Sequence, residues 1–443
     1  MGRNESIELI KADDYSLPFE VWQFTPLDWA CFRMVIRGTW IFDVPLDVDT
    51  MKKALPKILS CYPHLAGRMK DKSGIALTND GIPFVVTDEP GLLIENLLKR
   101  DDFVNIKELS HEIKPARIQK GVDAPLSVKI TRLRNGTALG VQCSHACMDG
   151  ESFYTMVFNW SQMCRGEAIE QPVLNQSLLD VSAFVSPAEA KDAAMEAGWK
   201  KISIFSILKL LPVIASGVFG KRSRPFYVSA GTVTSLKEKL SARAGLSYSS
   251  NVALSALITK RCMELFKHPD NTMCSVVTVV NTRERLAGIP SSYAGNSSFS
   301  IPTSAFSADA SYDQIASVIH QTLEKVRKSP SAELQSLMEL NLYAIKHKLP
   351  LAPFDVLGMN AKKPTVIYLN NFSRLHIYDI DFGTGSPVKV IPHNLKDQVV
   401  IWPAPPAVGG VEIYFAGVPI RYVRKLEPNF FNTDESTSVS SDA

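Results

Sequence analysis

The chain has 443 residues, of which 45% are hydrophobic and 21% are charged, so it can bury large cores in two or three domains. The formal net charge of +3 gives no strong field for nucleic acid, and we expect no nucleic-acid partner. The seven cysteines are odd in number and dispersed along the chain, which is typical of reduced thiols in a cytoplasmic protein.

The N-terminal segment has no pattern of a secretion signal. Residues 1–14 are polar and charged and lack the apolar core of a signal peptide, so we expect a cytoplasmic rather than a secreted protein. The first six residues match the loose pattern for N-myristoylation, which is short enough to recur by chance.

The first predicted elements are strands and an amphipathic helix. Residues 19–42 contain an aromatic-rich turn followed by a strand at 33–37. Residues 49–61 have their apolar side chains on one helical face, and the apolar run 137–143 predicts a further strand.

A histidine follows this strand at once. His145 and Asp149, with Gly150, form a His-x-x-x-Asp-Gly motif where a strand gives way to a loop, a common support for catalytic groups. An imidazole has an unperturbed pKa of about 6.5 and can take and return a proton at neutral pH, so His145 is a candidate general base. A lone histidine near an acid is more often a packed or surface residue, and the motif alone does not establish catalysis.

The role of Asp149 has two interpretations. On a helix, the four-residue spacing would put both side chains on one face and favour a His–Asp dyad. Because the motif is entered from a strand and followed by Gly150, helical geometry is not assured.

Helical spacing resumes after the motif. Apolar side chains recur up to Met163 and stop at Arg165-Gly166, which fits a core-facing helix with a C-terminal cap. From 171 to 224 the period is lost and prolines are frequent, which predicts a long crossover between two halves.

One apolar run inside the crossover, residues 202–219, approaches the roughly 20 residues that a membrane helix needs. Lys209 and Pro212 interrupt the run, so we interpret it as a buried or interface helix pair. Contact with a membrane surface is the alternative.

The second half repeats the mixture of strands and helices. The sequence predicts a strand at 225–229 and helices at 233–244 and 250–266. The fold class is therefore α/β. Residues 432–443 are polar and acidic, and we expect them to form a disordered tail.

A second motif, Tyr-Asp-Ile-Asp-Phe-Gly-Thr-Gly, occupies residues 378–385. Together with the His145 motif it resembles the BAHD acyltransferases, a large and mainly plant family. Residues 61–68 (Cys-Tyr-Pro-His-Leu-Ala-Gly-Arg) resemble the family's Tyr-Pro-Leu-Ala-Gly-Arg segment, and residues 281–285 and 293–296 resemble its Arg-x-Arg and Tyr-x-Gly-Asn signature. Thr384 stands where the family usually has tryptophan.

The resemblance implies a fold of two similar chloramphenicol-acetyltransferase-like sandwich domains, with an active-site channel between them. The expected N-terminal domain, residues 1–170, carries His145. The crossover covers 171–224, and the C-terminal domain, residues 225–431, carries the second motif.

The resemblance also implies the chemistry. An acyl group passes from an acyl-CoA thioester to a hydroxyl or amine of a small acceptor, with His145 as general base and without a metal, a permanently bound cofactor or an acyl-enzyme. The family's aspartate turns away from the histidine, so Asp149 would pair with Arg283 or Arg285. We expect a monomer whose partners are acyl-CoA and the acceptor.

Other residues receive roles by the same resemblance. Asp381, Gly383 and Gly385 would support the site by shaping a tight loop. The oxyanion donor of the tetrahedral intermediate does not follow from the resemblance, and Asn370 and Asn371 are our candidates because they lie just before the second motif. The Asp-Phe-Gly triplet also occurs in protein kinases, but the other kinase motifs are missing.

Two features concern the substrates. The basic pairs at 200–201 and within 221–224 could meet CoA phosphates, although a solvated basic loop is the other interpretation. The segment 349–360 has no arginine and so offers no guanidinium fork for a carboxylate, which favours a neutral and rather apolar acceptor.

The sequence leaves three alternatives to this chemistry. Cys143, His145 and Cys147 alternate as metal ligands can, but a fourth ligand is missing. Condensation enzymes that act on carrier-protein thioesters share the motif but usually have two adjacent histidines, and here Ser144 fills the first position. A protein that binds acyl-CoA or lipid without catalysis is the third.

Overall fold

Two large mixed β-sheets, each packed against helices, organise the chain. The structure is a computed structural model, and it describes residues 5–15, 17–71, 73–99, 107–179, 186–202, 225–286, 288–328, 332–392 and 398–426. Two main cores of buried apolar side chains accompany the two sheets.

The described strands are β1 (Glu5–Ile10), β2 (Val21–Gln23), β3 (Val35–Phe42), β4 (Arg68–Lys70), β5 (Gly74–Ala76), β6 (Ile82–Glu89), β7 (Leu126–Leu133), β8 (Gly136–Ser144), β9 (Lys200–Lys201), β10 (Phe226–Val228), β11 (Met273–Asn281), β12 (Ser298–Pro302), β13 (Phe306–Ser307), β14 (Leu351–Ala352), β15 (Val366–Asn371), β16 (Lys389–Pro392), β17 (Val399–Pro403) and β18 (Val411–Phe415).

The described α-helices are α1 (Pro26–Cys31), α2 (Val48–Cys61), α3 (Ile94–Leu98), α4 (Pro115–Ile118), α5 (Gly150–Cys164), α6 (Pro187–Glu196), α7 (Ala230–Ala244), α8 (Ser250–Phe266), α9 (Tyr312–Arg327), α10 (Ala332–Lys346), α11 (Val356–Met359) and α12 (Ile420–Val423). Short 3-10 turns cover Pro63–Ala66, Lys107–Leu109 and Gln176–Leu179.

The first sheet has the strand order β1-β6-β7-β8-β3-β16. Its strands are antiparallel except for the parallel pair β6 and β7. All nine residues of β8 are buried, so the strand that ends at Ser144 lies inside the molecule. This gives the following residue, His145, a rigid support.

The second sheet has the order β10-β18-β17-β15-β11-β12, with β13 also pairing with β11. Here β11, β15 and β17 run parallel. Helix α8 has eleven buried residues, and nine of them belong to the core of this sheet, because apolar side chains cover most of its circumference.

A strand exchange joins the two halves. β16 comes late in the chain but pairs with β3 of the first sheet, from Lys389 opposite Ile41 to Pro392 opposite Gly38. Lys389 forms an ion pair with Glu412 of β18, and both side chains are about one-tenth exposed. The sequence predicted two halves joined by the crossover at residues 171–224, and it did not predict that a strand of the second half pairs with the first sheet.

Most predicted elements are confirmed. β8 contains the predicted strand 137–143, α8 has the predicted bounds, and α5 ends next to Gly166, whose φ is +76°. The strand predicted at 33–37 is wrong at its start, because a turn in which Met34 N donates to Cys31 O at 2.9 Å precedes β3.

Four predictions fall partly or wholly outside the described residues. They are the myristoylation pattern, the polar tail, the apolar run 202–219 beyond Ile202 and the basic residues within 221–224. Within the described part of the chain, no helix is long and apolar enough to cross a membrane. Lys200 and Lys201 form the exposed strand β9, which pairs with β14.

A buried histidine makes the first core sensitive to acid. The imidazole of His64 is fully buried and stacked on Trp22, with ring centroids 4.4 Å apart. Burial lowers the pKa of His64 from 6.5 to about 3, since the charged form loses its hydration.

We predict that this histidine weakens the fold below pH 6.5. The unfolded chain binds the proton near pH 6.5, but the folded chain binds it only near pH 3. As the pH is lowered through this range, the free energy of unfolding therefore decreases by up to about 1.4 kcal/mol per pH unit. In His64→Phe, urea unfolding from pH 7 to 4 should show a shallower loss. His347→Phe, at an exposed position, is the control. An unchanged slope in His64→Phe would contradict the prediction.

Candidate active site

His145 lies at the wall of a cavity that is open to solvent on one side. Its backbone N–H donates to Met34 O at 2.9 Å, beside the pairing of Val35 with Ser144. The cavity has a volume of about 540 Å³, and its lining includes Tyr154 and Trp402. The half-buried imidazole is therefore fixed by β8 yet open to a ligand.

One imidazole nitrogen belongs to a hydrogen-bonded chain. Nδ1 of His145 lies 3.1 Å from Asn296 Oδ1, and Asn296 Nδ2 donates to Asp28 Oδ1 at 2.7 Å and to His145 O at 2.8 Å. Because Asn296 uses its NH₂ group toward these acceptors, its oxygen faces the imidazole and Nδ1 carries the proton. In the neutral ring, Nε2 then has the free lone pair.

Asp28 is fully buried at the other end of this series of hydrogen bonds. Its carboxylate also accepts from Thr25 N at 2.7 Å, Thr25 Oγ1 at 2.8 Å and Gln176 Nε2 at 3.2 Å. Burial raises the pKa of Asp28 to about 7, and the hydrogen bonds from Asn296 and Thr25 limit the rise because they favour the ionised form. The carboxylate thus ionises near neutral pH.

The side chain of Cys31, at the end of α1, also affects the pKa of the imidazole. Burial lowers the pKa of His145, but the charge and hydrogen bond of the Cys31 side chain, the residue's own backbone and the Asp149 carboxylate together raise it to about 9. At neutral pH the unliganded imidazole is therefore mostly protonated.

Asp149 points toward the second half of the chain. It makes a bidentate pair with Arg283, with N–O distances of 2.9 and 3.0 Å, and both side chains are at most 3% exposed. Its carboxylate also accepts from Ser297 N at 2.9 Å and Ser298 Oγ at 3.0 Å. Burial alone would raise the pKa of Asp149, but Arg283 and the backbone donors lower it, so the carboxylate is ionised.

The structure thus selects one partner from the two arginines. Arg283 pairs with Asp149, whereas Arg285 donates to the Asn281 carbonyl. Asp149 is also the N-cap of α5, accepting from Ser152 N at 3.0 Å. The residues between His145 and Asp149 form a turn rather than a helix, so the helical dyad geometry is not formed.

The second motif forms a separate loop. Oδ1 of Asp381 accepts from the backbone N–H groups of Gly383, Thr384 and Gly385 at 2.7 to 3.0 Å. Gly383 and Gly385 have φ of +99° and +97°, which favours glycine. Thr384 is exposed, so its small side chain leaves no buried space to fill. Among described residues, 381–385 are not part of the His145 cavity lining.

The two asparagines considered as oxyanion donors both line the His145 cavity. Asn370 Nδ2 donates to Gln398 Oε1 at 3.0 Å, and Asn371 Nδ2 donates to Asn251 Oδ1 at 2.7 Å. An amide group has two N–H bonds, so these contacts leave each side chain a second donor.

Sequence reasoning missed Asp28, Asn296 and Cys31. Thr25 and Asp28 form a capping box for α1, which their three-residue spacing could have indicated. Asn296 lay inside a quoted motif but had no role. The hydrogen bond between Asn296 and Asp28 joins residues 268 positions apart, and no local sequence pattern predicts it.

The two cysteines that flank His145 in the sequence lie in the interior of the molecule. Cys143 and Cys147 are buried, and burial raises the pKa of both thiols. No group of three or more His, Cys, Asp or Glu side chains within the described residues is arranged to hold a metal ion.

Comparison with known proteins gives the family. A family model described as the Transferase family matches residues 8–427. Hydroxycinnamoyltransferase 1 of Oryza sativa subsp. japonica is 23% identical over 380 residues, which cover 82% of this chain and 81% of that protein. The chain belongs to the BAHD acyltransferase family.

Solved structures agree on the BAHD fold. Vinorine synthase matches with a TM-score of 0.71 and 19% identity, covering 97% of this chain and all of that one. F. graminearum TRI101 in complex with coenzyme A and T-2 mycotoxin matches with a TM-score of 0.72 and 15% identity, covering 92% and 97%. The expected two-domain α/β fold is confirmed.

Membership of the BAHD family makes this chain an enzyme that transfers acyl groups from acyl-CoA to hydroxyl or amine acceptors. Acyl-CoA is a co-substrate. The alternatives of a non-catalytic binder and of a condensation enzyme that uses carrier-protein thioesters do not fit this membership.

The buried pair predicts a stability defect for Asp149→Asn. Loss of the charge leaves the Arg283 guanidinium uncompensated, which should lower the free energy of unfolding by about 3–5 kcal/mol. Melting temperature measures this loss. The kinetic pKa should change little, because the charge of Asp149 raises the pKa of His145 less than the side chain of Cys31 and the backbone of His145 do.

Arg285→Lys is the matched control, since Arg285 contacts a backbone carbonyl rather than the carboxylate. A variant Asp149→Asn that melts like wild type, but has a strongly lowered kinetic pKa, would instead assign the aspartate to the imidazole.

Proposed function

We propose that His145 is the general base of the BAHD transfer reaction and removes the proton from the acceptor as it attacks the acyl-CoA carbonyl. The observation that carries this proposal is the position of the imidazole at the cavity wall, with Nδ1 bonded to Asn296. That bond leaves Nε2 for the substrate.

The steps follow from this tautomer. Nε2 takes the acceptor proton while the acceptor oxygen or nitrogen bonds to the carbonyl carbon. The tetrahedral intermediate then expels the CoA thiolate, which recovers the proton from Nε2. A thioester is already activated, so alignment and base assistance of about 10²–10⁴ carry much of the catalysis.

Asp28 and Asn296 act as positioning residues. Asn296 accepts from Nδ1 and so holds the ring and its tautomer. When Asp28 is ionised, its charge polarises the Asn296 amide and favours the imidazolium that forms during attack. Both side chains are buried, which keeps water from screening this interaction.

Asn370 and Asn371 are the proposed oxyanion donors. They lie in the same cavity as His145 and each has an N–H bond beyond those that fix the side chain. Two donors held by other polar groups are already oriented before the charge develops, which is the condition for effective stabilisation.

We propose a neutral and rather apolar acceptor. Phe299, Ile301 and Phe354 line a cavity of about 550 Å³ next to β12, which we call the Phe299 cavity. Ser300 lines it as well, and its hydroxyl is hydrogen-bonded to Tyr368. Lys200, Lys325 and Asp355 also line the cavity, but no described arginine does. Its apolar and hydroxyl-bearing walls therefore lack a guanidinium fork for a carboxylate and suit an uncharged alcohol better.

A screen of acyl-CoA donors against alcohols and amines tests the acceptor class. Free CoA thiol gives the rate, and mass spectrometry identifies the product. The highest kcat/KM should belong to a neutral acceptor. Turnover of a carboxylated acceptor such as shikimate at the rate of the best neutral alcohol would refute this part of the proposal.

His145→Ala tests the base. The variant should fold normally and lose roughly 10²–10⁴ in turnover with the best pair from the screen, because only the proton transfer is lost. Circular dichroism and melting temperature provide the folding control, and His376→Ala, at an exposed histidine, is the matched substitution.

The pH profile gives an independent test of His145. The base must be neutral, so kcat/KM of wild type should rise about tenfold per pH unit and level off near the raised pKa of about 9. A plateau that begins at pH 7 would contradict this assignment.

A further inference from the structure

A third cavity lies beside α1 and has no role in the proposed reaction. Its volume is about 1140 Å³, close to the upper end of the roughly 300–1,000 Å³ that small-molecule sites have. The aromatic residues of its lining are Phe19, Trp22, Phe24, Trp29 and Phe32. We call it the Trp29 cavity. Arg33 lines both this cavity and the His145 cavity, so the two are neighbours.

Three aromatic side chains of this lining pack against one another. The ring centroid of Phe24 lies 5.6 Å from that of Trp29 and 6.1 Å from that of Phe32, with interplanar angles of 83° and 75°. Trp29 is 36% exposed, and Phe24 and Phe32 are half-buried, so each ring keeps part of its surface free. Aromatic surface that is held in place inside a cavity favours a flat aromatic ligand, which can stack on these rings or meet their edges.

The charged side chains of the lining are cations. Arg33, Lys346 and Lys348 line the Trp29 cavity, and no Asp or Glu does so among the residues that the structure describes. α1 packs against α10, which ends at Lys346, and this contact brings the lysines to the same cavity as Arg33. Within the described residues, none of the three side chains forms an ion pair. The cavity therefore has a positive potential that no carboxylate of the lining offsets, and its charge complements an anion.

Thr25 and Gln176 give the Trp29 cavity a fixed polar wall. Gln176 Nε2 donates to Asp28 Oδ2 at 3.2 Å, and Gln176 Oε1 accepts from the Tyr293 hydroxyl. Thr25 is buried and donates to the same carboxylate through its backbone N–H and its hydroxyl. Asp28 is not part of the lining, and its oxygens are covered by these donors and by Asn296. An anion in the cavity therefore does not meet a bare carboxylate.

We propose that the Trp29 cavity is a binding site for small aromatic carboxylates, separate from the His145 cavity. The aromatic ring of such a ligand packs against Trp29 and Phe24. Its carboxylate pairs with the guanidinium of Arg33, whose planar fork can donate two parallel hydrogen bonds, and the two lysines add attraction as point charges. The proposal does not rest on the role of His145, because binding is measured without turnover.

2-Naphthoate is a suitable probe because it combines two fused aromatic rings with one carboxylate. Isothermal titration calorimetry with the full-length enzyme near neutral pH gives its Kd. 2-Naphthylmethanol keeps the rings but is uncharged, and cyclohexanecarboxylate keeps the charge but has no aromatic ring. Each should bind about tenfold more weakly than 2-naphthoate, because each lacks one of the two features that the cavity recognises.

Variants assign the binding to this cavity. Lys346→Gln/Lys348→Gln should weaken binding of 2-naphthoate about tenfold, because two attractive charges are removed. Trp29→Leu should weaken it roughly fivefold, because the aromatic contact is lost. The matched control is Lys237→Gln/Lys239→Gln, which has the same spacing on α7 and lies outside the cavity lining. It should bind like wild type, and melting temperatures show that every variant is folded.

Competition tests whether the site is separate from the His145 cavity. A saturating concentration of CoA should leave the Kd of 2-naphthoate unchanged, because the co-substrate occupies a different place. Lys114→Gln removes a cation that lines the His145 cavity but not the Trp29 cavity. This variant should also bind 2-naphthoate with the Kd of wild type.

Four results would overturn the proposal. 2-Naphthoate could fail to bind at millimolar concentration, 2-naphthylmethanol could bind as tightly, the lysine and Trp29 variants could keep the wild-type Kd, or CoA could displace the probe. Failure of the enzyme to release CoA with every acceptor is a different result, since it contradicts the proposed function and leaves these titrations unaffected.

Discussion

The buried pair of Asp149 and Arg283 is the constraint on which the site depends. It joins residues 134 positions apart, one at the start of α5 and the other just after β11. The same carboxylate caps α5 and accepts from Ser297 and Ser298. Because an ionised pair without solvent needs every lone pair satisfied, this cluster tolerates few arrangements. His145 lies one turn away, so its position relative to the second half is fixed by the pair.

A site at the seam between two halves needs such a connection. Asn296 contacts the imidazole while the adjacent Ser297 and Ser298 contact Asp149, so a single segment holds both motif residues. The exchange of β16 into the first sheet and the Lys389–Glu412 pair join the halves elsewhere. Geometry must be held to within about 0.5 Å for efficient proton transfer, and hinge motion between unconnected halves would not allow it.

The sequence predicted what depends on local periodicity. The bounds of α8, the strand before His145 and the end of α5 all follow from apolar spacing and a capping glycine. The choice between Arg283 and Arg285 does not follow from such patterns. Both arginines are near a strand end, and only tertiary contacts decide which one pairs with Asp149. The partners of His145 were missed for the same reason. Asp28 and Cys31 belong to the short helix α1. Its local sequence indicates the capping box but does not indicate which distant side chains contact the helix.

Asn296 limits where the proton can go in the proposed mechanism. An amide between an imidazole and a carboxylate can align two hydrogen bonds, but it has no site that readily takes a proton at neutral pH. Asp28 therefore stabilises the imidazolium through its charge and through the polarised amide, without becoming the proton's destination. The proton taken from the acceptor stays on His145 until the CoA thiolate forms. Since that thiolate is then the nearest strong base, the leaving group is protonated as it departs, and the free imidazole is regenerated for the next turnover.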